Sequence, residues 1–167
     1  MDVRYYFEQP EHLAALREEA AAWLGTPFRY GAAVRGAGGG TDCARMSYAI
    51  FTAIGATPAG KVFPSASADY TVHHADSPID DFFRTELAAE FERLPVTADG
   101  AADSAIRAGD VLGFRIGKAV HHLAIVIDSG RMLQCVKPHG ARLVSLQDST
   151  FMKRLAVVYR RRGEQPL

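Results

Sequence analysis

Cys43 is the residue of this sequence with the most obvious chemical potential. It follows a glycine run in the stretch GGGTDCARMSYAIF, residues 38–51. Apolar residues recur after it at i, i+3 and i+4 spacing, which predicts a helix starting at Cys43 with Thr41 or Asp42 as N-cap. A helix N-terminus favours the thiolate and lowers the thiol pKa. The position therefore suits a nucleophile, and a core thiol or a metal ligand stays open.

A cysteine nucleophile also needs a base, and His121 and His122 are the histidines that best meet this need. They open the run VHHLAIVID, the most strand-like run of the chain. Adjacent strand residues point to opposite faces, so we expect at most one of the two to face a packed helix. The next run, RMLQCVK, follows a short DSG turn and is predicted to pair with it as a hairpin. Its Gln134 could orient an imidazole, which would complete a papain-like triad.

A zinc site is the chemical alternative. Zinc takes three or four ligands, commonly in close sequence pairs. The chain has two cysteines, Cys43 and Cys135, and neither a CxxC nor an HExxH motif. Cys135 alternates away from Gln134 on its strand and is predicted to be a buried structural thiol. We therefore predict no metal and no cofactor.

The elements that must position these residues fall into two groups. Residues 11–24 form a helical pattern with Leu13, Leu16, Ala20, Trp23 and Leu24 on one face. The stretch SPIDDFFRTELAAEFERL is predicted to form a helix with Ser77 as N-cap. From Asp110 onward, five short β-type runs are separated by turn signals. Helices followed by an antiparallel meander predict an α+β domain with the helices on one face of the sheet.

The composition limits the function classes. The chain has 167 residues, with 19 Lys plus Arg and 19 Asp plus Glu, so no basic excess favours nucleic acid. The basic run 160–162 is interpreted as a solvated tail. Two cysteines fit a reducing compartment. The sequence shows neither a secretory signal nor an apolar run of membrane-spanning length, so we expect synthesis in the cytoplasm and no membrane span.

Four motifs, in order, resemble the NlpC-type cell-wall peptidases of the papain-like superfamily. They are WLGTPFRYG, TDC at a helix start, AGDVLGF and HHLAIVIDSGRMLQC. They lie within residues 23–55 and 108–146. The match is nearest to the phage-associated branch, which has a longer insert between helix and sheet. The resemblance implies a single domain over residues 1–167 with a variable insert at about 56–108.

The resemblance also implies roles for individual residues. Cys43 matches the nucleophile, His122 the general base and Gln134 the orienting position. Tyr30 matches a tyrosine near the oxyanion and substrate pocket. Asp42 matches an aspartate that, in some members, helps to hold the substrate's amino group.

One departure from the family pattern concerns Arg45. The usual DCSG is here DCAR, so Arg45 replaces a glycine. Its cation could lower the thiol pKa, bind a substrate carboxylate or block the site.

The function implied is hydrolysis of an amide in peptidoglycan stem peptides, such as the bond after D-glutamate, through a Cys–His thioester mechanism. An acyltransferase or lipid amidase on the same fold stays open. So does a non-enzymatic component of a phage tail or secretion apparatus, which would bind a partner protein of that assembly. An antibacterial effector with a separately encoded immunity protein is a further alternative. Lysis, a phage particle or a secretion system could each deliver the protein to the cell wall.

Overall fold

The computed structural model describes residues 3–61, 77–97 and 105–164. A short 3₁₀ turn at Tyr6–Glu8 precedes four helices, which are α1 (Pro10–Trp23), α2 (Cys43–Ala53), α3 (Pro78–Thr85) and α4 (Ser149–Met152). No helix in these ranges is long and apolar enough to cross a bilayer.

The described residues contain eight strands, which form two antiparallel sheets. The small sheet pairs β1 (Ala33–Val34) with β2 (Gly40–Thr41), inside the glycine-rich stretch before Cys43. The large sheet contains β3 (Phe91–Pro95), β4 (Val111–Ile116), β5 (Ala119–Val126), β6 (Arg131–Val136), β7 (Gly140–Ser145) and β8 (Leu155–Arg161). Its order is β3-β8-β4-β5-β6-β7. The predicted α+β class is confirmed. Strands β4 to β7 form the predicted meander, but the fifth predicted run, β8, pairs with β3 and β4 instead of following β7.

The main core lies between helices α1 to α3 and one face of the large sheet, while helix α4 packs against a second apolar cluster. Met46 and Ile50 of α2 are fully buried, and they belong to the same apolar cluster as Leu123 and Ile125 of β5. This packing explains the apolar spacing after Cys43, because residues three and four apart share one helix face. The packing fixes the start of α2 beside β5, where the candidate base lies.

Two predicted elements differ in extent from the structure. The helix that begins at the N-cap Ser77 ends at Thr85 instead of continuing to residue 94, and Phe91–Pro95 forms strand β3. The backbone of β3 pairs with β8, and Phe91 packs its ring edge-on against Phe83. Pairing with β8 satisfies these backbone groups and overrides the local helical pattern. Helix α1 ends at Trp23, so the predicted face residue Leu24 is its C-cap, where it is 43% exposed and does not share the buried face.

The basic run at the C-terminal end is not a solvated tail, because its first residue is buried. Arg160 lies in β8 at 3% exposure and forms two 2.8 Å hydrogen bonds with the carboxylate of Asp110, from Nε and Nη2. A third bond of 2.7 Å runs from Nη2 to the carbonyl oxygen of Ala105. The pairing compensates the buried charges. The three consecutive arginines look alike in the sequence, so the sequence does not show which of them points into the protein along the strand.

Candidate active site

Cys43 is the first residue of α2, as predicted, and Asp42 is the N-cap. The Asp42 Oδ1 atom accepts a 2.9 Å hydrogen bond from the backbone N–H of Arg45. The helix begins here because this carboxylate satisfies one of its unpaired donors. The Cys43 side chain is thereby held at the N-terminal end of α2, over strand β5.

Burial dominates the titration of Cys43. It raises the pKa of the thiol to about 12, against the opposing effect of hydrogen bonds from the backbone of Leu123 and Ala44. The sequence-based expectation was a lowered pKa from the helix N-terminus. In the structure the pKa shift has the opposite direction, because removing a thiolate from water destabilises it more than these N–H groups stabilise it. The thiol of Cys43 is therefore neutral near pH 7.

His122 and Gln134 lie on neighbouring strands and are joined by a hydrogen bond. The His122 Nε2 atom is 2.9 Å from the Gln134 Oε1 atom, and both side chains are buried. The strand register pairs Gln134 with Ala124, so the bond runs diagonally across β5 and β6. An amide oxygen only accepts, so Nε2 carries the proton and Nδ1 is left as the acceptor.

Burial also keeps the imidazole of His122 neutral. It lowers the pKa of His122, and the hydrogen bond that His122 donates to Gln134 opposes that shift. The ring packs against two aromatic side chains that also contact each other, with centroid distances of 5.6 Å to Phe114 and 5.3 Å to Phe151. These rings exclude water from the imidazole, which disfavours its charged form.

A β-bulge places His121 beside His122. Phe114 pairs with His122 and the next residue, Arg115, pairs with Val120, so β5 carries one additional residue at this point. Such bulges redirect side chains. The strict alternation used in the sequence analysis does not hold here, and both imidazoles line one cavity. His121 is half-buried and not an exposed edge residue.

That cavity has a volume of about 330 Å³ and brings most of the predicted site residues together. Its polar and thiol side chains are Tyr30, Asp42, Cys43, Arg45, His121, His122, Cys135 and Lys137. Its apolar side chains include Phe28, Ile79, Ile116, Val136 and Phe151. Gln134 is fully buried behind His122 and contacts the cavity only through it.

Asp42, Arg45 and Tyr30 form one wall of the cavity. The Arg45 Nη1 atom is 2.7 Å from Asp42 Oδ2, and the guanidinium lies 5.6 Å above the Tyr30 ring. The same Oδ2 atom accepts a 2.8 Å bond from the backbone N–H of Gly31. Arg45 is held against this wall and leaves the cavity open. Blocking of the site, one of the three roles considered for Arg45, is therefore not supported by its position.

Cys135 is buried, at 1% exposure, and its Sγ donates a 3.4 Å hydrogen bond to the carbonyl oxygen of Thr41. Burial raises the pKa of this thiol to about 11. The residue packs in the main core, as expected of a structural thiol, and also borders the cavity.

Sequence reasoning missed two cavity residues, Phe151 and Lys137. Phe151 lies in the one-turn helix α4, far along the chain from His122, and no local pattern marks it. Lys137 directly follows β6, three residues after Gln134, and its position at the end of a site strand is a usable signal. In the ranges that the structure describes, no group of three or more His, Cys, Asp or Glu side chains could hold a metal ion.

Comparison with solved structures gives 18 significant matches. A staphylococcal protein described as similar to a lipoprotein of the NLP/P60 family (Staphylococcus aureus) has a TM-score of 0.55 at 18% identity, over 94% of this chain and 43% of that one. The NlpC/p60 domain of the peptidoglycan hydrolase SagA has a TM-score of 0.54 at 18% identity, over 87% and 96%. The peptidoglycan hydrolase RipB of Mycobacterium tuberculosis has a TM-score of 0.54 at 15% identity, over 90% and 65%.

These likenesses establish the fold. The chain spans less than half the length of the staphylococcal protein. Comparison with curated proteins gives no significant match. The model of the NlpC/P60 family matches residues 25–160, which include every element from β1 to β8 and all the residues assigned to the site. This chain belongs to the NlpC/P60 family.

Proposed function

We propose that this protein is a cysteine peptidase or amidase that hydrolyses an amide bond of peptidoglycan stem peptides. The observation that carries the proposal is the hydrogen bond between His122 and Gln134, beside a thiol at the start of α2 in the same cavity. Membership of the NlpC/P60 family supports the reaction class. SagA and RipB are named as peptidoglycan hydrolases, which supports the substrate class.

In the proposed mechanism, His122 acts as general base toward the neutral thiol. Its Nδ1 takes the proton of Cys43 as the sulfur attacks the carbonyl carbon of the scissile amide. The resulting imidazolium is stabilised by its Nε2–H bond to Gln134. His122 then returns the proton to the leaving amine, and the carbon–nitrogen bond breaks to give a thioester on Cys43.

Water completes the cycle. His122 removes a proton from a water molecule that attacks the thioester carbonyl, and the sulfur leaves as the thiol. The net reaction is amide plus water to acid plus amine. Backbone N–H groups at the start of α2, with Tyr30 on the adjacent wall, stabilise the oxyanion of each tetrahedral intermediate.

The largely apolar lining of the cavity supports this mechanism. Apolar side chains surround the thiol and the imidazole, so charge that develops during attack is poorly screened by water. The helix N-terminus and the Gln134 amide are then effective sources of stabilisation. The bond after D-glutamate is our proposed target, and placement in the phage-associated branch stays a prediction from the insert.

The test is digestion of purified peptidoglycan, with the products separated by chromatography and identified by mass spectrometry. The wild-type protein should release fragments with a new free carboxylate and a new free amine. Cys43→Ala should release none, and Cys135→Ser, a matched thiol substitution in the same cavity wall, should retain cleavage. Unchanged cleavage by Cys43→Ala would contradict the proposal.

A second candidate function is an acyltransferase or lipid amidase, which the apolar lining of the cavity favours. Five apolar residues, Phe28, Ile79, Ile116, Val136 and Phe151, would suit an acyl chain. The same thioester would then be cleaved by an amine or formed from an N-acyl amine. Incubation with N-acyl amines of increasing chain length separates the candidates, because only this one predicts faster turnover with longer chains.

A further inference from the structure

The Asp42 carboxylate is already fully engaged in this protein. Its Oδ1 accepts from the backbone N–H of Arg45, and its Oδ2 accepts from Gly31 at 2.8 Å and from the Arg45 guanidinium at 2.7 Å. The ion pair is well shielded, with side-chain exposures of 15% for Arg45 and 7% for Asp42. A substrate ammonium would have to displace the guanidinium to reach this carboxylate. The role that family resemblance suggests for Asp42, holding an amino group, does not fit this arrangement.

Lys137 supplies a second cation to the cavity. It is exposed, at the end of β6, and its ammonium lies 5.2 Å above the Phe28 ring. Within the described ranges, no carboxylate lies within ion-pairing distance of it. The cation–π contact holds the ammonium over the ring, and its N–H donors can still bind a ligand.

The charges of the cavity lining therefore leave a cationic excess. Asp42 and Arg45 neutralise each other, and Lys137 adds a positive charge. The imidazoles of His121 and His122 add none when neutral. Lys137 is exposed, so solvent screens part of its charge, and the apolar walls strengthen its field only on the side that faces the cavity.

We propose that the cavity selects substrates with a carboxylate next to the scissile amide, and that Lys137 is the residue that determines this specificity. An anionic group is attracted by the charge of Lys137. An ammonium group is repelled by Arg45 and Lys137, and the Asp42 carboxylate is already occupied. This inference rests on the proposed function for the identity of the peptide. The free α-carboxylate of a γ-linked D-glutamate is the group that such a stem peptide offers.

Binding to Cys43→Ala protein tests this without requiring catalysis. The first probe is N-acetyl-L-alanyl-γ-D-glutamyl-L-alaninamide, and the second is its D-isoglutaminyl analogue. The two differ only in a carboxylate against a carboxamide. Calorimetric titration should give a Kd that is lower for the carboxylate by on the order of five- to tenfold, as expected for a partly exposed charged hydrogen bond. Added salt should reduce this ratio.

Two variants in the same background locate the effect. Lys137→Met should bring the ratio of Kd values to about one, and Lys137→Glu should invert it. Lys153→Met removes an exposed lysine that does not line the cavity, and it should keep the ratio. Removing the N-acetyl group from the peptide should not tighten binding unless Arg45→Met has released Asp42. Thermal melts of each variant show whether it folds.

Cleavage of the carboxylate peptide by the wild-type protein is measured separately. A carboxylate preference in binding together with no cleavage of peptides or peptidoglycan would overturn the proposed function alone. A Kd ratio near one, an unchanged ratio in Lys137→Glu, or binding of neither peptide would overturn this inference, whatever the cleavage assay shows.

Discussion

The Nε2 atom of His122 lies 2.9 Å from the Oε1 atom of Gln134, with both side chains out of contact with bulk water. This bond fixes the tautomer of the imidazole through a neutral partner. Gln134→Glu would replace that partner with a carboxylate, which favours the protonated ring and raises the pKa of His122. The free base is then lost at a higher pH. We expect the acidic limb of the kcat/KM profile to move to higher pH.

Gln134→Leu tests the same bond by removing it. We expect kcat to fall on the order of tenfold to a hundredfold, since the ring loses its orienting partner. Gln147→Glu is the control for the charge change, because Gln147 is exposed and outside the cavity. An acidic limb that shifts equally in Gln147→Glu and Gln134→Glu would contradict a specific role for Gln134.

The second prediction concerns the thiol of Cys43. Since burial raises its pKa to about 12, alkylation by iodoacetamide should be slow near pH 7 and should keep rising through the alkaline range. Every protein tested carries Cys135→Ser. The pKa of Cys135 is also raised, so its alkylation would occur in the same pH range and obscure that of Cys43. A fast rate that persists below pH 7 would contradict the neutral thiol and show a thiolate–imidazolium pair.

The third prediction is a loss of stability in acid that depends on His122. Burial lowers its pKa in the folded state, so below the ordinary value of about 6.5 the unfolded chain binds a proton that the folded chain excludes. Stability then falls as pH falls through this range. The free energy of unfolding, measured with urea at pH 7.5 and pH 5, should fall more in the wild type than in His122→Gln.

The control for this measurement is His139→Gln, which removes an exposed histidine from the turn after β6. It should lose as much stability on acidification as the wild type. If His122→Gln also lost as much as the wild type, the buried imidazole would not be a source of the acid sensitivity.

The fourth prediction contrasts two arginines of the same basic run. Arg160→Met leaves the buried Asp110 carboxylate without its cation and with the backbone N–H of Arg107 still donating to it, and we expect a loss of about 3–5 kcal/mol in the free energy of unfolding. Arg162→Met changes an exposed residue, and we expect a change of less than about 0.5 kcal/mol. Chemical denaturation of both variants measures the difference. Equal, small losses would mean that the ion pair contributes nothing to the fold.

The sequence predicted the parts of this molecule that are encoded locally. The N-cap Asp42 and the apolar spacing after it predicted α2 and placed Cys43 at its start. Alternation and turn residues predicted β4 to β8. Gln134 was recognised because a polar residue in the middle of an apolar strand requires a partner.

The remaining features depend on contacts between distant segments. Strand β3 forms only because β8 offers it a partner, so its helical pattern was misleading. The bulge at His121 follows from the pairing of β4 with β5 and leaves no local signal. Burial reverses the expected pKa shift of Cys43, and that burial depends on the packing of α2 against β5, two elements far apart in sequence. The positive charge that Lys137 adds to the cavity also depends on the fold, because the end of β6 must lie beside the other cavity residues.

The position of β8 between β3 and β4 has a consequence for how the chain acquires its fold. Strand β8 follows the other strands of the large sheet in chain order but occupies an interior place, and β3 has no partner until β8 arrives. During translation the meander of β4 to β7 can form first, because its contacts are local. The earlier strand β3 must wait until β8 has left the ribosome. A nascent chain stopped before β8 should therefore leave β3 unpaired and the edge of β4 open, and it should be more sensitive to proteases than a chain that includes β8.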